Sequence, residues 1–151
     1  MTLATDPDFF RLLVDSYIHA VGASPPFFEP GQPRTADWLY HSAPACVVAH
    51  NTDADPRFIY ANCAAQDCFE YDWDVFTELP SRLSAGPSDR AERQRQLDRV
   101  SEHGFITDYR GLRIARSGRR FMIEDGVIWN LVDRAGILRG QAATFATWRD
   151  V

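Results

Sequence analysis

The sequence predicts an α+β fold in which five antiparallel strands form one sheet, helices cover one face of it, and a further helix stands at the N-terminus. Three observations carry this. A strand runs into an asparagine-capped helix over residues 57–69, a helix with both of its ends marked occupies residues 7–21, and three long strands joined by tight turns fill the chain from Phe105 to Trp148.

The first element is a helix from Pro7 to Val21, with Asp6 as its cap, Pro7 at the first helical position and Gly22 as terminator. Phe9, Phe10, Leu13, Val14, Tyr17, Ile18, Ala20 and Val21 cover close to half of its circumference, which asks for two apolar neighbours and not one. Four prolines between Ser24 and Arg34 exclude helix and central strand, so this stretch reads as an extended linker pinned by Phe27 and Phe28. The expected division is therefore an N-terminal helix and linker over residues 1–34 and a core over residues 35–151.

A short helical turn through Trp38, Leu39 and Tyr40 leads to a first strand over residues 45–51, paired with a second over residues 57–62 across the turn from Thr52 to Pro56. Asn62 then caps a helix from Cys63, where Ala64, Ala65, Cys68 and Phe69 make a thin face of small residues that allows close approach to a sheet. Asp72 caps a second helix carrying Trp73, Val75, Phe76 and Leu79. Residues 88–103 form a third, with Asp89 and Glu92 at capping-box spacing and only Leu97 and Val100 as large apolar residues, which places it on the surface.

In the third strand the apolar phase runs Phe105, Thr107, Tyr109 and then switches to Leu112 and Ile114, so a bulge is expected beside Gly111. Ser117 and Gly118 turn the chain. In the fourth strand Phe121, Ile123, Val127, Trp129 and Leu131 share a face by strict alternation, and after a turn from Asp133 to Gly136 the last strand runs from Ile137 to Trp148.

At 151 residues, with 45% apolar and 13% aromatic residues, the chain suits one globular domain, and no apolar run approaches the roughly 18 residues that span a bilayer. Acidic Asp6 and Asp8 stand where a secretory signal carries basic residues, and three cysteines cannot all pair internally, so a cytoplasmic location with free thiols is expected. The net charge of −5 conceals an asymmetry: residues 1–80 hold twelve acids against three arginines, and residues 81–151 hold nine acids against thirteen. These are read as solvated faces that attract one another within the fold. The basic hairpin of Arg110, Arg113, Arg116, Arg119 and Arg120 has no interleaved aromatic stripe, which argues against nucleic acid as a partner.

The strand, the Asn62 cap and the helix ending at Phe69 and Tyr71 resemble the second strand and first helix of a PAS domain. Together with LPSRLSAGPSDR (79–90), FITDYRGLRIARSGRRF (105–121), IEDGVIWNLVD (123–133) and GQAATFATW (140–148), they resemble the MEKHLA domain, a PAS-related family, over roughly residues 10–149. The resemblance implies a PAS-like sheet with helices over its concave face and a sensory or regulatory module. It brings few functional residues with it. Light-oxygen-voltage domains carry their reactive Cys in a G-R-N-C-R-F-L-Q motif followed by Gly-Pro, and in the corresponding stretch before Gly86 and Pro87 Ser81 stands in place of that Cys. No flavin adduct is therefore expected, and the cofactor, if any, is left unnamed.

The expected ligand pocket lies between the sheet residues Phe121, Ile123, Asp125 and Trp129 and the helical residues Cys68, Phe69, Phe76, Arg82 and Leu83. Asp125 is its most distinctive member, because alternation points it into apolar space where a carboxylate needs a partner such as Arg82. Two other outcomes stay open: a bulge at Gly126 that turns Asp125 to solvent, or capture of backbone amides by Glu124 and Asp125. The spacings of His41, Cys46 and His50 match no common zinc pattern, His19 and His103 have no acidic or thiolate companion, and no haem or catalytic motif occurs. A binding module is expected in preference to an enzyme. It would take a small molecule and signal through a separate effector protein, or act without a ligand as an association module with a filled core. A homodimer through Phe10, Val14, Tyr17, Ile18 and Val21 is expected from the wide apolar arc of the N-terminal helix.

Overall fold

The computed structural model describes residues 3–151. Met1 and Thr2, at the start of the expected N-terminal segment, lie outside the described residues. Helix α1 spans Pro7–Val21; the Asp6 carboxylate accepts from the Asp8 amide, and Gly22 ends the helix in the left-handed conformation its φ of 79° requires. Helix α2 (Ala36–His41) follows the proline-rich segment and is capped by Thr35. Strands β1 (Cys46–His50) and β2 (Phe58–Ala61) lead into α3 (Cys63–Phe69), and α4 (Trp73–Phe76) and two 3-10 turns lead into α5 (Arg90–His103). Strands β3 (Phe105–Ile114), β4 (Arg120–Val132), β5 (Leu138–Phe145) and β6 (Thr147–Asp150) complete the chain.

The sheet order is β2-β1-β5-β4-β3, antiparallel throughout, with β6 paired to the first part of β4. The expected single last strand is thus interrupted at Ala146: β5 pairs with β4 from Val127 to Val132 and β6 pairs with it from Phe121 to Glu124. The interruption lies opposite a kink in β4. At Asp125 φ is +53°, and the alternation expected of β4 fails there. Gly126 and Ile128, not Val127 and Trp129, continue the inward face of Phe121 and Ile123. Trp129 and Leu131 belong to the core on the opposite side of the sheet, and Asp125 is exposed. A bulge turned the carboxylate out, because each inserted residue exchanges the two faces of everything beyond it.

A second kink lies in β3. Register shifts flank Tyr109 on both sides, one beside Gly111, where the sequence predicts a bulge, and one at Asp108, where φ is +53°, so the residues turned inward are Ile106, Tyr109, Gly111 and Arg113. Phe105 packs with the outer core, and Leu112 and Ile114 are half-buried. The two kinks face one another, since Tyr109 pairs with Gly126 between two register shifts.

Both faces of the sheet are covered. The inner core joins Cys46, Val48, Phe69, Phe76, Leu97, Phe121 and Ile123 under α3, α4 and α5. The outer core joins Phe9, Leu13 and Tyr17 of α1 with Phe27, Trp38, Leu39, Val47, Tyr60 and Trp129. The proline-rich segment seats Phe27 in the outer core instead of holding α1 away from it. Among the described residues no helix is long and apolar enough to cross a membrane.

Candidate functional site

Most of the charged and polar side chains buried among the described residues gather where β1, β3, β5 and α5 meet. His50 ends β1, Tyr109 and Arg113 come from β3, Gln141 from β5 and Arg93 from α5. With Ser84 and the apolar Phe69, Leu97, Ile123 and Phe145 they line a cavity of about 40 Å³. An adjoining groove of about 430 Å³ shares His50, Arg93, Leu97 and Gln141 with it and also takes in the β1–β2 turn, Ser81, Arg82 and Ser101.

Local chain chemistry puts these groups inside. Arg93 sits four and seven residues before Leu97 and Val100, on the one buried stripe of α5. Asp89, expected to begin a capping box, makes no side-chain cap; it pairs instead with Arg120 (Oδ2 to Nη2, 3.5 Å). Tyr109 lies over Gly111, where an added Cβ would stand 2.9 Å from its Cζ and 3.0 Å from Arg113 Nη1. The glycine leaves room for the phenol ring to rest on the sheet, with the Arg113 guanidinium 5.3 Å from the ring centroid. Gly140 allows similarly close approach to the His50 carbonyl.

Burial dominates the electrostatics. It pushes Arg113 down to about 9, with like-charge repulsion from Arg93 adding to the effect, and Arg93 down to about 10. Both remain charged at neutral pH. His50 is pushed down to about 4 by burial; the Asn51 carbonyl and, more weakly, the nearby Gln141 side chain oppose this and the Arg93 charge adds to it, so the imidazole is neutral. His50 Nδ1 lies 2.9 Å from the Asn51 carbonyl oxygen, which can only accept, so Nδ1 carries the proton and Nε2 presents a lone pair. His50 Nε2 and the Tyr109 hydroxyl are buried without a hydrogen-bond partner. The two N–H groups of Gln141 Nε2 are shared among the Leu97 carbonyl, Ser101 Oγ and Asn130 Oδ1.

The residues expected to form the pocket are scattered by comparison. Phe69 and Ile123 line the cavity. Cys68, Phe76 and Phe121 lie in the inner core outside its lining, and Leu83 is half-buried away from it. Asp125 and Trp129 are corrected: the first faces solvent, and the second packs on Tyr17 on the other side of the sheet. Arg82 is exposed and pairs with Asp55 (Nε to Oδ1, 3.1 Å), so an Asp125–Arg82 pair does not form. The α1 residues expected at a dimer contact divide too. Tyr17 is buried against Trp129, Phe10 packs edge-on against Phe28, Val14 and Val21 are half-buried, and Ile18 is 46% exposed.

Among known proteins, the MEKHLA domain pattern matches residues 7–150. No curated protein matches the chain. Among solved structures, the PAS domain of a protein from Colwellia psychrerythraea superposes with a TM-score of 0.64 at 14% identity, covering 76% of this chain and 92% of that one. A PAS domain from a two-component sensor histidine kinase gives 0.57 at 18% identity, with coverages of 77% and 93%. The dark structure of the light-oxygen-voltage domain of the blue-light photoreceptor Aureochrome1 gives 0.55 at 16% identity, with coverages of 70% and 75%. At these identities the likeness is one of fold.

Proposed function

The chain belongs to the MEKHLA domain family, and we propose that it is a PAS-type sensory or regulatory module that takes a small molecule between sheet and helices and signals through association with another protein. The observation that carries this reading is the pair of unsatisfied groups, His50 Nε2 and the Tyr109 hydroxyl, at one cavity between sheet and helices. Buried polar groups left unpaired are costly, and they are retained where a ligand completes them. The cavity shares His50, Arg93, Leu97 and Gln141 with a neighbouring groove of ordinary ligand-binding size. No sequence motif for catalysis accompanies these groups, so the site is read as one for binding.

A flavin, the cofactor that the light-oxygen-voltage motif serves, does not fit. The interior volume of about 40 Å³ is far below the roughly 300 Å³ at which ligand pockets begin. Ser81 supplies no thiol, and Cys63 and Cys68 on α3 lie outside the cavity lining.

The same small volume favours a second reading, a ligand-free association module. In either reading the exposed side of α1 around Ile18, with half-buried Val14 and Val21, is the proposed homodimer contact, and a reducing cytoplasm suits the three free cysteines. Native mass spectrometry of the purified chain, set against the denatured mass, tests both readings. A co-purifying small mass supports the sensory module; a bare dimer supports the association module.

A further inference from the structure

The inner core holds two guanidinium groups with no carboxylate set against them. Arg93 is 8% exposed and Arg113 is 7% exposed, and both line the same cavity. Neither takes part in an ion pair among the described residues, although the exposed arginines nearby do so, Arg82 with Asp55 and Arg120 with Asp89. Arg113 Nη1 donates to the Leu112 carbonyl at 2.6 Å, which satisfies one of its five N–H groups. Asp89 is the carboxylate that acts on Arg113 from a distance, and it is engaged by Arg120.

Two like charges in one low-dielectric cavity destabilise a fold unless a counter-charge joins them. Among the described residues neither guanidinium is paired with a carboxylate, and the Asp89 charge that reaches Arg113 from a distance is shared with Arg120, which leaves room for a counter-charge from outside. The remaining groups define what it carries. The Tyr109 hydroxyl is a spare neutral donor, and His50 Nε2 is a spare acceptor, because the Nδ1 proton is committed to the Asn51 carbonyl.

We infer that the cavity binds the oxyanion head of a small acid, a carboxylate or phosphate group, held by Arg93 and Arg113 and by the Tyr109 hydroxyl, with His50 Nε2 accepting from a hydroxyl of the ligand. About 40 Å³ accommodates such a head, and the body of the ligand extends past His50, Arg93 and Gln141 into the groove of about 430 Å³. Planar guanidiniums suit this task, since each can present two parallel N–H groups to two oxygens. The inference rests on the reading of the protein as a small-molecule binder and names the ligand's class.

The test is thermal unfolding of the full chain in a buffer free of phosphate and carboxylate, titrated separately with sodium phosphate, acetate and glycolate, with sodium chloride at matched ionic strength as control. At least one oxyanion is expected to raise Tm saturably beyond chloride. Phosphate acting alone identifies a phosphate head, and the acids acting alone identify a carboxylate, with glycolate exceeding acetate because its hydroxyl reaches His50. Arg113→Met and Arg93→Met, which keep bulk and remove charge, are expected to weaken that binding by about thirtyfold or more while raising Tm of the ligand-free chain. Should one of them fail to fold, the other, on a different element, carries the same comparison. Equal shifts in wild type and both variants overturn the inference, as does the absence of any shift beyond chloride. If a neutral small mass co-purifies in the native spectrum, the binding reading survives and the oxyanion does not. If native and denatured masses agree and nothing shifts Tm, both fail.

Discussion

The indole N–H of Trp129 donates to the backbone carbonyl of Leu13 at 3.2 Å, tying the middle of β4 to the middle of α1 across the outer core. Tyr17 meets the same indole edge-on, with ring centroids 5.0 Å apart, and Ser16 Oγ bonds the Val132 backbone one turn further along α1. The N-terminal helix therefore covers the sheet of its own chain. Trp129→Phe, which removes the donor and leaves a void, should destabilise by about 1–3 kcal/mol in urea unfolding. Deleting residues 1–22 should abolish the cooperative melt followed by circular dichroism, because Phe9, Leu13 and Tyr17 leave the outer core with it. A stable, monomeric truncated chain would show that α1 is dispensable to the fold.

Asn62 stitches the start of α3 to the rest of the molecule. Its Oδ1 accepts from the amides of Val47 (3.0 Å) and Ala65 (3.1 Å), and its Nδ2 donates to the carbonyls of Leu39 (3.2 Å) and Ala45 (2.8 Å). Asn62→Ala strands four buried backbone groups and is expected to cost about 2–4 kcal/mol. Asn62→Asp keeps the acceptor but sets a second oxygen against two carbonyls, and should cost at least as much. A loss below about 1 kcal/mol in either variant would mean that water replaces these bonds.

What was legible in the sequence was what local chemistry decides. The Asp6, Asn62 and Asp72 caps, the Gly22 stop and the strand–cap–helix order all appear as read, because each depends on residues within one turn of one another. The faces of β3 and β4 were not legible beyond their kinks. Alternation carries no record of an inserted residue, and the insertions sit at Asp108 and Asp125; strict alternation points Asp125 inward, whereas the bulge turns it to solvent. Gly126 was a usable signal for one of them, and Gly111 marks a register shift beside Tyr109, although the residue inserted in β3 is Asp108. The polar cavity was missed because Arg93 and Arg113 read as members of a charged helix and a basic hairpin. Spacing held a trace of both: residues 93, 97 and 100 form one helical stripe, and residues 109, 111 and 113 form one strand face.

The kink at Asp125 makes its own prediction. With φ at +53°, glycine suits the position and a β-branched side chain does not. Asp125→Gly should change stability by no more than about 0.5 kcal/mol in either direction, and Asp125→Val should destabilise by about 1–2 kcal/mol. Equal effects of the two substitutions would indicate that the bulge relaxes to regular pairing. Neither variant is expected to alter ligand content, because the carboxylate is outside the cavity.

His50 should make folding sensitive to mild acid. Burial holds its pKa near 4 in the folded chain, against 6.5 as the ordinary value. The unfolded chain therefore takes up a proton between those limits while the folded chain does not. Stabilisation from the neutral imidazole is complete above pH 6.5 and is lost as pH falls toward 4, with a total of about 3 kcal/mol from linkage over that interval. The clean measurement is a difference. Denaturant unfolding of wild type and His50→Asn, whose amide can still donate to the Asn51 carbonyl, is followed from pH 7 to pH 4 in buffers without phosphate or carboxylate. Carboxylates shared by the two proteins cancel, and the stability advantage of wild type over the variant should shrink steadily through the window. The carboxyls of Glu70, Glu92 and Asp133, held below their usual range by hydrogen bonds and arginines, are common to both proteins, so the loss of their stabilisation in acid drops out of the difference. A difference that stays constant from pH 7 to pH 4 would place His50 in contact with water, and with it the cavity as an open, hydrated cleft.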